Sequence, residues 1–325
     1  MIMFDRPLQF VPYYKSVIWG GDKIADYKGE AIGLDNVGES WEISAVPGHE
    51  SVVATGDFKG RKLTELVDEY GADFLGAEVS KRCGKEFPLL IKIIDARQDL
   101  SVQVHPDDAL ARTRHGSAGK TEMWYIIDRV PGSKIYTGLK AQLTPDDYTY
   151  RIADNTIMDV VADHASEPDQ FYFVPAGTIH AIGAGNLLAE VQQTSDITYR
   201  VYDYDRRDAA GNPRELHTAL AKDAIDYRYP NDIKPTATVY ASTTCGAVKS
   251  DYFTTDFLCL SSGDEFAVDN HGRTFAIVIV SKGTVDITLA SGEVLNYKKG
   301  DTLLMPAGMK PCVISGEGNA LLVTC

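Results

Sequence analysis

Two stretches of the sequence are near copies of each other, and they decide the fold. Residues 173–182 read FVPAGTIHAI, and residues 304–313 read LMPAGMKPCV. In each stretch apolar residues lead into Pro-Ala-Gly, whose proline and glycine favour a tight turn at the end of a strand. The repeat therefore predicts two similar β units in one chain. The first copy has His180 where the second has Pro311, so only the first unit can bind a metal at this position.

Short runs of β-branched and aromatic residues, bounded by Gly, Pro and Asp, surround both copies. Such runs are typical of antiparallel sandwiches and barrels. The runs that we expect to form strands are residues 87–94, 101–105, 122–127, 170–175, 198–204, 275–280, 284–289, 301–306 and 320–324. The sequence thus predicts a mainly β protein built from two jelly-roll β-barrels.

Three other segments have their apolar residues at a helical spacing. They are residues 62–76, residues 144–164, which begin with Thr144 and Pro145, and residues 212–225, which begin with Asn-Pro. A polar capping residue followed by proline is a common start of a helix. Because the first two segments flank the central strands, we expect a helical insertion or cap on the N-terminal part.

The polar stretch at residues 229–242 contains two prolines and separates the last helical segment from a tail rich in strands. We expect the domain boundary there. A metal-binding catalytic domain with helical insertions would cover residues 1–236, and a β domain without metal ligands would cover residues 237–325. The second domain is expected to pack against the first, and a regulatory pocket in it stays an open alternative.

Composition narrows the class of protein. The chain has 325 residues and a formal net charge of −14, which argues against a broad nucleic-acid or anionic-membrane surface. Five scattered cysteines without a CxxC pair indicate reduced thiols rather than disulfides or a thiolate zinc site. No signal-like start or long apolar run is present, so we expect a cytoplasmic protein, either a monomer or a weak homodimer.

A set of polar side chains in the central strands predicts a metal site. In LSVQVHPDD, Gln103 and His105 alternate onto one face of a strand, and in GKTEMWYII Glu122 lies in an otherwise apolar strand. A buried carboxylate needs a counter-charge or a metal. Taken singly, Gln103 suits an edge-strand amide and Glu122 a surface residue beside Lys120. Together with His180 they predict a mixed nitrogen and oxygen site for zinc or a similar divalent ion.

The Pro-Ala-Gly turn followed by His180 is similar to the second motif of the cupins. The ordered motifs FPLLIKIIDARQDLSVQVHPDD, GKTEMWYII, VPAGTIHAI and QQTSDITYRVYDYDR further resemble the zinc-dependent type I mannose-6-phosphate isomerases, in their shorter bacterial form. The resemblance covers most of residues 10–225. It implies one zinc ion per chain held by four ligands, Gln103, His105, Glu122 and His180, and it places the family's catalytic arginine at Arg200.

The implied reaction interconverts mannose 6-phosphate and fructose 6-phosphate through a cis-enediol. A metal near the substrate oxygens stabilises the developing charge, and a base moves a proton between C2 and C1. Two residues are candidates for that base: Lys120, which shares a strand face with Glu122, and Glu190, a carboxylate in an apolar strand. The alternative for Glu190 is an ion pair with Arg200.

The substrate's phosphate needs cations in an otherwise acidic protein. Lys92 interrupts an aliphatic strand, which indicates a buried partner or a functional anion. Arg200 and Arg206 are expected on one face of the strand at residues 198–204, with Ser101 adding a hydroxyl. A lattice of ion pairs with Asp196, Asp203 and Asp205 is the alternative. The family's longer members have a lysine at the position of Arg206, and by resemblance Trp19 lines the sugar end, with Glu39 or Glu42.

Two other functional classes fit parts of the pattern. One is a different metal-dependent cupin enzyme, such as another sugar-phosphate isomerase or an oxygenase, and the other is a sugar-phosphate-binding protein without catalysis. The presence of Lys120, Glu122 and Arg200 together favours the isomerase. The five remaining histidines are interpreted as solvated or structural: His49, His115, His164, His217 and His271.

Overall fold

The computed structural model describes residues 4–207, 210–228 and 245–325, together with the backbone of residues 237–238. Strands predominate, as the sequence predicts. They are β1 (Phe10–Val11), β2 (Tyr13–Gly21), β3 (Val37–Ile43), β4 (Val52–Val53), β5 (Leu89–Asp95), β6 (Val102–Val104), β7 (Glu122–Arg129), β8 (Lys134–Leu139), β9 (Val161–Ala165), β10 (Gln170–Val174), β11 (His180–Ile182), β12 (Asn186–Gln193), β13 (Tyr199–Tyr202), β14 (Ala237–Thr238), β15 (Cys245–Lys249), β16 (Thr254–Leu260), β17 (Glu265–Val268), β18 (Ala276–Thr288), β19 (Val294–Lys298), β20 (Thr302–Met305) and β21 (Cys312–Thr324).

The helices are short and lie mostly in the first two thirds of the chain. They are α1 (Lys23–Lys28), α2 (Leu63–Tyr70), α3 (Ala72–Leu75), α4 (Ala77–Cys83), α5 (Asp108–His115), α6 (Pro145–Ala153) and α7 (Thr218–Ala224), with one 3-10 turn at Ile157–Asp159. In the described residues, no helix is long and apolar enough to cross a membrane.

Four sheets are formed, and within the described residues none of them closes on itself. A seven-stranded sheet has the order β14-β10-β7-β12-β5-β3-β2, and a five-stranded sheet has the order β13-β6-β11-β8-β9. The C-terminal strands form a third sheet, β15-β16-β21-β18-β19, to which β17 and β20 are paired, and β1 pairs with β4. All pairings are antiparallel. The mainly β architecture is therefore as predicted, with open sheets where barrels were expected.

Strand β5 shows how the sequence gives the seven-stranded sheet two different faces. Its residues are all buried, and the side chains alternate between the faces. Leu89, Ile91 and Ile93 belong to a large apolar cluster that also contains residues of α2 and of the C-terminal sheet. Lys92 and Ile94 project from the opposite face. A fully buried aliphatic side chain contributes roughly 1.5–3 kcal/mol, so the apolar face anchors the sheet while its other face is free to carry polar groups.

Both Pro-Ala-Gly phrases form the predicted turns. The first lies between β10 and β11, where the amide of Thr178 donates to the carbonyl of Pro175 at 3.1 Å. Gly177 has a φ of +87°, which glycine adopts without strain. The second lies between β20 and β21, where the amide of Met309 donates to the carbonyl of Pro306 at 2.9 Å.

Two predicted helices are only partly present. The segment predicted over residues 144–164 is helical in α6, whose N-terminus has the expected Thr144 cap, but Asn155 has a φ of +55° and the chain then enters β9. Buried and more exposed residues alternate in β9, as expected of a strand, although the apolar spacing over residues 144–164 had predicted a helix there. The helix predicted over residues 212–225 is confined to α7. Part of the predicted boundary stretch, residues 229–236 and 239–242, lies outside the described residues.

Candidate metal centre and active site

Three side chains from three strands meet in the interior between the seven-stranded and five-stranded sheets. His105 directly follows β6, Glu122 begins β7 and His180 begins β11, and their ligand atoms lie within 4.8 Å of one another. All three residues are at most 1% exposed. The Nε2 atom of His180 is 3.4 Å from Oε1 of Glu122, and that of His105 is 3.6 Å from Oε2. The predicted convergence of these residues is therefore present.

Both imidazoles are held through Nδ1, which leaves Nε2 directed at the cluster. His105 contacts the carbonyl of Ile197 at 2.8 Å, and His180 contacts the carbonyl of Thr178 at 2.8 Å. A backbone carbonyl at Nδ1 fixes the tautomer in which Nε2 carries a free lone pair, as metal ligation requires. Burial, with the nearby positive charge of Lys120, lowers the pKa of His105 well below its usual range and that of His180 to about 3. Both rings are therefore neutral near pH 7.

Glu122 provides the observation that tests whether a metal fits. Its Oε2 accepts a 2.6 Å hydrogen bond from Lys120, but its Oε1 is buried without a hydrogen-bond donor in the described chain. Burial raises the pKa of this carboxyl group, against the opposing charge of Lys120. A divalent ion between Oε1 and the two imidazoles would satisfy the bare oxygen, and two histidines with a carboxylate are a donor set typical of zinc.

Gln103 lies beside this cluster. It is paired in register with His180 on one side and with Arg200 on the other, and its amide nitrogen is 3.3 Å from Nε2 of His180. The two ends of an amide occupy equivalent positions, so a half-turn of the group presents Oε1 as a ligand. The residue is thus within reach of the same centre.

A row of side chains crosses the polar face of the seven-stranded sheet next to the metal cluster. Its members are paired in register on neighbouring strands. In order they are Tyr13, Trp41, Lys92, Glu190, Trp124 and Tyr172. Because cross-strand partners lie about 5 Å apart, the register alone brings the two charged members together. Lys92 and Glu190 are separated by 3.2 Å, and both are buried.

Glu190 is paired with lysines, so the alternative of an ion pair with Arg200 is wrong for the described residues. Besides Lys92, it lies 3.9 Å from Lys120 and accepts a 3.0 Å bond from the indole of Trp124. Burial alone would raise the pKa of Glu190, but the two lysines and these hydrogen bonds bring it below its usual range. The carboxylate is therefore held ionised, and Lys92 has the buried anionic partner that the sequence indicated.

Arg200 reaches the same interior from β13. Its Nε donates to the hydroxyl of Ser101 at 3.2 Å and its Nη1 to the carbonyl of Glu215 at 2.9 Å. In the described chain Nη2 donates no hydrogen bond, and the residue is partly exposed. Burial and the repulsion of Arg214 lower its pKa. The guanidinium group is thus held by Nε and Nη1, and its Nη2 can still donate hydrogen bonds to a ligand.

Arg206 does not share a strand face with Arg200, and that expectation was wrong. Strand β13 ends at Tyr202, and Tyr204 and Asp205 follow with φ values of +54° and +51°, which turn the chain. Arg206 instead donates to Asp203 at 2.5 Å and to the carbonyl of Asp99. Its partner Asp203 also binds Arg214, so this part of the ion-pair alternative is present.

Trp19 lies in an apolar cluster that also contains two members of the charged row, Trp124 and Tyr172. It is 5% exposed and belongs to the same cluster as Trp124, whose ring is 5.4 Å from that of His180. Glu39 is closer to the charged row, since its Oε2 is 3.6 Å from Lys92 and accepts a 2.7 Å bond from Trp41. Glu42 faces the other way and pairs with Lys28 at 2.8 Å.

Sequence reasoning missed Trp41 and Gln192 as neighbours of the site. Trp41 shares a face of β3 with Glu39, and Gln192 shares a face of β12 with Glu190, because each pair is two residues apart. The register of the sheet is needed to show that these faces lie next to the site. Of the other histidines, His49 stacks on Tyr13 with ring centroids 4.4 Å apart, and none contacts the metal cluster.

A cavity of about 870 Å³ lies away from this centre. It is bounded by α4, by the start of α5 and by the segment around Tyr252, and none of the predicted metal ligands lines it. Its cations and anions are mixed, and Arg82 and Lys85 already donate to carbonyl groups. We therefore do not assign the reaction to this cavity.

The fold and the site together define a β-sheet enzyme with a buried metal centre of two histidines and a glutamate. Residues 8–124 match the family model of the type I phosphomannose isomerase catalytic domain. The chain is 37% identical to the mannose-6-phosphate isomerase ManA of Bacillus subtilis, over 98% of this chain and 99% of the relative. It is 35% identical to the mannose-6-phosphate isomerase of Streptococcus mutans, over 96% of each.

A crystal structure of the mannose 6-phosphate isomerase from Bacillus subtilis is similar to this structure, with a TM-score of 0.86. The two chains are 34% identical, and the match covers 98% of this chain and 99% of that one. The chain belongs to the type I phosphomannose isomerase family.

Proposed function

We propose that this protein interconverts mannose 6-phosphate and fructose 6-phosphate, using a divalent metal. One observation carries the proposal: the unpaired Oε1 of Glu122 lies in one buried cluster with the Nε2 atoms of His105 and His180, close to the buried pair of Lys92 and Glu190. Relatives that match over nearly their full length are named mannose-6-phosphate isomerases, which supports the substrate. A neutral aldose without a phosphate would leave Arg200 without an anionic partner.

We propose Gln103, His105, Glu122 and His180 as the ligands, and one zinc ion per chain as the metal. When bound, the ion polarises the substrate's carbonyl group and stabilises the negative charge that develops on its oxygens. The buried, neutral imidazoles need no deprotonation to bind it. The surrounding apolar side chains of Trp124 and its neighbours exclude water, which strengthens every charge interaction there.

Glu190 is the group best placed to move the proton between C2 and C1. Its carboxylate is buried and is kept ionised by Lys92, whose ammonium lies 3.2 Å from Oε1. An ionised oxygen with a free lone pair can accept a proton from carbon. Lys120, in contrast, already donates to Glu122, so we assign it the role of a fixed positive charge near the reacting oxygens.

Arg200 is proposed to bind the phosphate, together with Ser101 and Lys92. Its uncommitted Nη2 supplies a charge-assisted donor, and such bonds are about twice as strong as neutral ones. Arg206 is proposed at the outer end of this subsite, where Asp203 holds it. Trp19 is proposed only as part of the apolar wall that limits the sugar end.

The finer architecture is proposed as two jelly-roll units, one over residues 1–236 and one over residues 237–325. The repeated turns before β11 and β21 support it. Four free cysteines in the described chain, Cys83, Cys259, Cys312 and Cys325, agree with a reducing compartment, for which we propose the cytoplasm. A monomer or weak homodimer without nucleic-acid or membrane partners is proposed.

The test is a coupled assay on freshly purified protein whose metal content has been measured. Mannose 6-phosphate is supplied, and fructose 6-phosphate formation is followed in parallel with mannose and with glucose 6-phosphate as alternative substrates. We expect turnover of mannose 6-phosphate and a stoichiometric divalent metal. Binding without turnover would instead identify a sugar-phosphate-binding protein, and preferential turnover of glucose 6-phosphate would identify a different isomerase.

A further inference from the structure

Gln192 is a buried polar residue next to the metal cluster to which the mechanism gives no role. It lies on β12, is 0% exposed and is the direct cross-strand partner of Glu122. Glu190, two residues earlier, projects from the same face of the sheet. Buried polar groups are normally hydrogen-bonded, so a buried amide at this position indicates a structural or functional role for its donor and acceptor atoms.

The orientation of the Gln192 amide is fixed by its own backbone surroundings. Nε2 donates to the carbonyl of Gln193 at 2.8 Å and to the carbonyl of Ser195 at 2.7 Å. Rotating the amide would place its oxygen against these two carbonyl oxygens, where no proton is available. The amide nitrogen must therefore face the turn that follows β12, and the amide oxygen must face away from it.

That oxygen has nothing to accept from. Oε1 of Gln192 is buried without a hydrogen-bond donor among the described residues, and the same is true of Oε1 of Glu122. The two acceptors belong to cross-strand partners on one face of the sheet.

The turn that Gln192 holds also orients a metal ligand. The hydroxyl of Ser195 accepts from the amide of Ile197 at 3.4 Å, and the carbonyl of Ile197 contacts Nδ1 of His105 at 2.8 Å. A carbonyl in this position sets the ring angle and the tautomer of a ligating histidine. Gln192 is thereby connected to His105 through one short turn.

We propose that Gln192 is a positioning residue of the metal centre. Its amide nitrogen fixes the turn that aims the imidazole of His105 at the cluster. The inference rests on the metal site of the proposed function.

The test is metal affinity, measured without substrate. Metal-free wild type and Gln192→Met are titrated with Zn²⁺ in competition with a chromophoric chelator, and the metal-free proteins are also melted by circular dichroism. We expect Gln192→Met to bind Zn²⁺ about 10–100-fold more weakly, the range found when a group supporting a ligand is removed. Wild type that binds no Zn²⁺ would overturn the metal site itself, a result separate from an effect of Gln192.

Asn186→Leu is the matched control. Asn186 lies on the same strand, is 0% exposed, donates to the carbonyls of Lys134 and Gly183 and accepts from Ser166. We expect it to lower the melting temperature as much as Gln192→Met but to change Zn²⁺ affinity less than threefold. Gln192→Asn, which is too short to reach both carbonyls, provides a milder variant with a loss in the same direction. Unchanged Zn²⁺ affinity in both Gln192 variants, or an equal loss in the control, would overturn the proposal.

Discussion

The ammonium of Lys120 lies 3.1 Å from Nε2 of His105 and 2.6 Å from Oε2 of Glu122. The lysine thus contacts the ring nitrogen that His105 directs at the cluster. It also offsets the buried carboxylate, whose unpaired charge would otherwise cost several kcal/mol. Lys120 therefore supplies positive charge directly beside two of the proposed metal ligands.

Removal of the metal is expected to abolish the isomerase activity without unfolding the protein, because Lys120 then compensates Glu122. The measurement is turnover before and after dialysis against a chelator, with circular dichroism as the check on the fold. Re-addition of Zn²⁺ should restore turnover. Full activity in protein shown by elemental analysis to contain no metal would contradict the prediction.

His180→Gln is expected to lower kcat/KM on the order of 10³-fold, since it removes a ligand nitrogen and weakens metal binding. His271→Gln is the control, because His271 is exposed and contacts only Asp269 among charged residues of the described chain. The assay is steady-state turnover at saturating metal. If both variants kept wild-type rates, His180 would not be part of the centre.

Lys92→Met is expected to destabilise the fold by about 3–5 kcal/mol, because it leaves Glu190 and Glu39 buried without their shared cation. Lys15→Met is the matched control, since Lys15 is 37% exposed and lies 3.6 Å from the same Glu39. An ion pair that exposed contributes about 0–1 kcal/mol. Urea unfolding of both variants measures the difference. Similar losses in the two would argue against a special role for the buried lysine.

Arg200→Lys is expected to lower kcat/KM about 10–100-fold and to weaken inhibition by inorganic phosphate, because a lysine cannot keep the bonds to Ser101 and Glu215 while binding an anion. Arg129→Lys, which alters only an exposed pair with Glu167 in the described residues, should be neutral. Initial rates over a range of substrate concentration separate kcat from KM. A purely structural role for Arg200 would lower stability and leave phosphate inhibition unchanged.

The metal-free protein is expected to lose stability as the pH falls from 7 to 5. The unfolded chain protonates His180 below its ordinary pKa of 6.5, whereas burial keeps the folded pKa at about 3, so the unfolded state binds more protons in between. The slope reaches at most about 1.4 kcal/mol per pH unit for one group. Urea unfolding of metal-free wild type and His180→Gln at both pH values isolates it, and equal slopes would contradict the assignment.

The raised pKa of Glu122 acts in the opposite sense. Its folded form holds a proton to a higher pH than the unfolded form does, so this group favours the folded state as the pH falls toward its ordinary value. Because Glu122 is present in both proteins of the comparison, the difference in slope between them still reports the imidazole.

The candidate metal ligands could be selected from the sequence because each has a local signal. His180 follows a turn whose Pro and Gly are explicit, and Gln103 and His105 alternate in a short strand. A two-residue period fixes which side chains share a face without knowledge of the partner strand. Glu122 stood out as a carboxylate in an apolar run. The combination of these local signals selects four candidates, and three of them, His105, Glu122 and His180, converge in the structure.

The surroundings of the ligands could not be predicted in the same way. The pairing of Glu190 with Lys92 depends on which strands are neighbours and on their register, and neither is written in a single strand. The positions of Arg206 and Asp203 depend on a turn in which two non-glycine residues, Tyr204 and Asp205, take positive φ. Neither tyrosine nor aspartate is a strong sequence signal for such a turn. The alternating residues at 198–204 therefore predicted a strand longer than β13.

Helix α1 carries two contacts that join distant parts of the chain. Tyr27 donates to the carbonyl of Val280, and Lys28, held by Glu42, donates to the carbonyl of Gly300. The strand that contains Glu42 also contains Glu39, so α1 links the neighbourhood of the reaction centre to the C-terminal sheet. The two parts would then unfold together in a single cooperative transition on heating or in denaturant. A ligand bound at the centre would also slow the exchange of backbone amide hydrogens in the last strands with solvent deuterium.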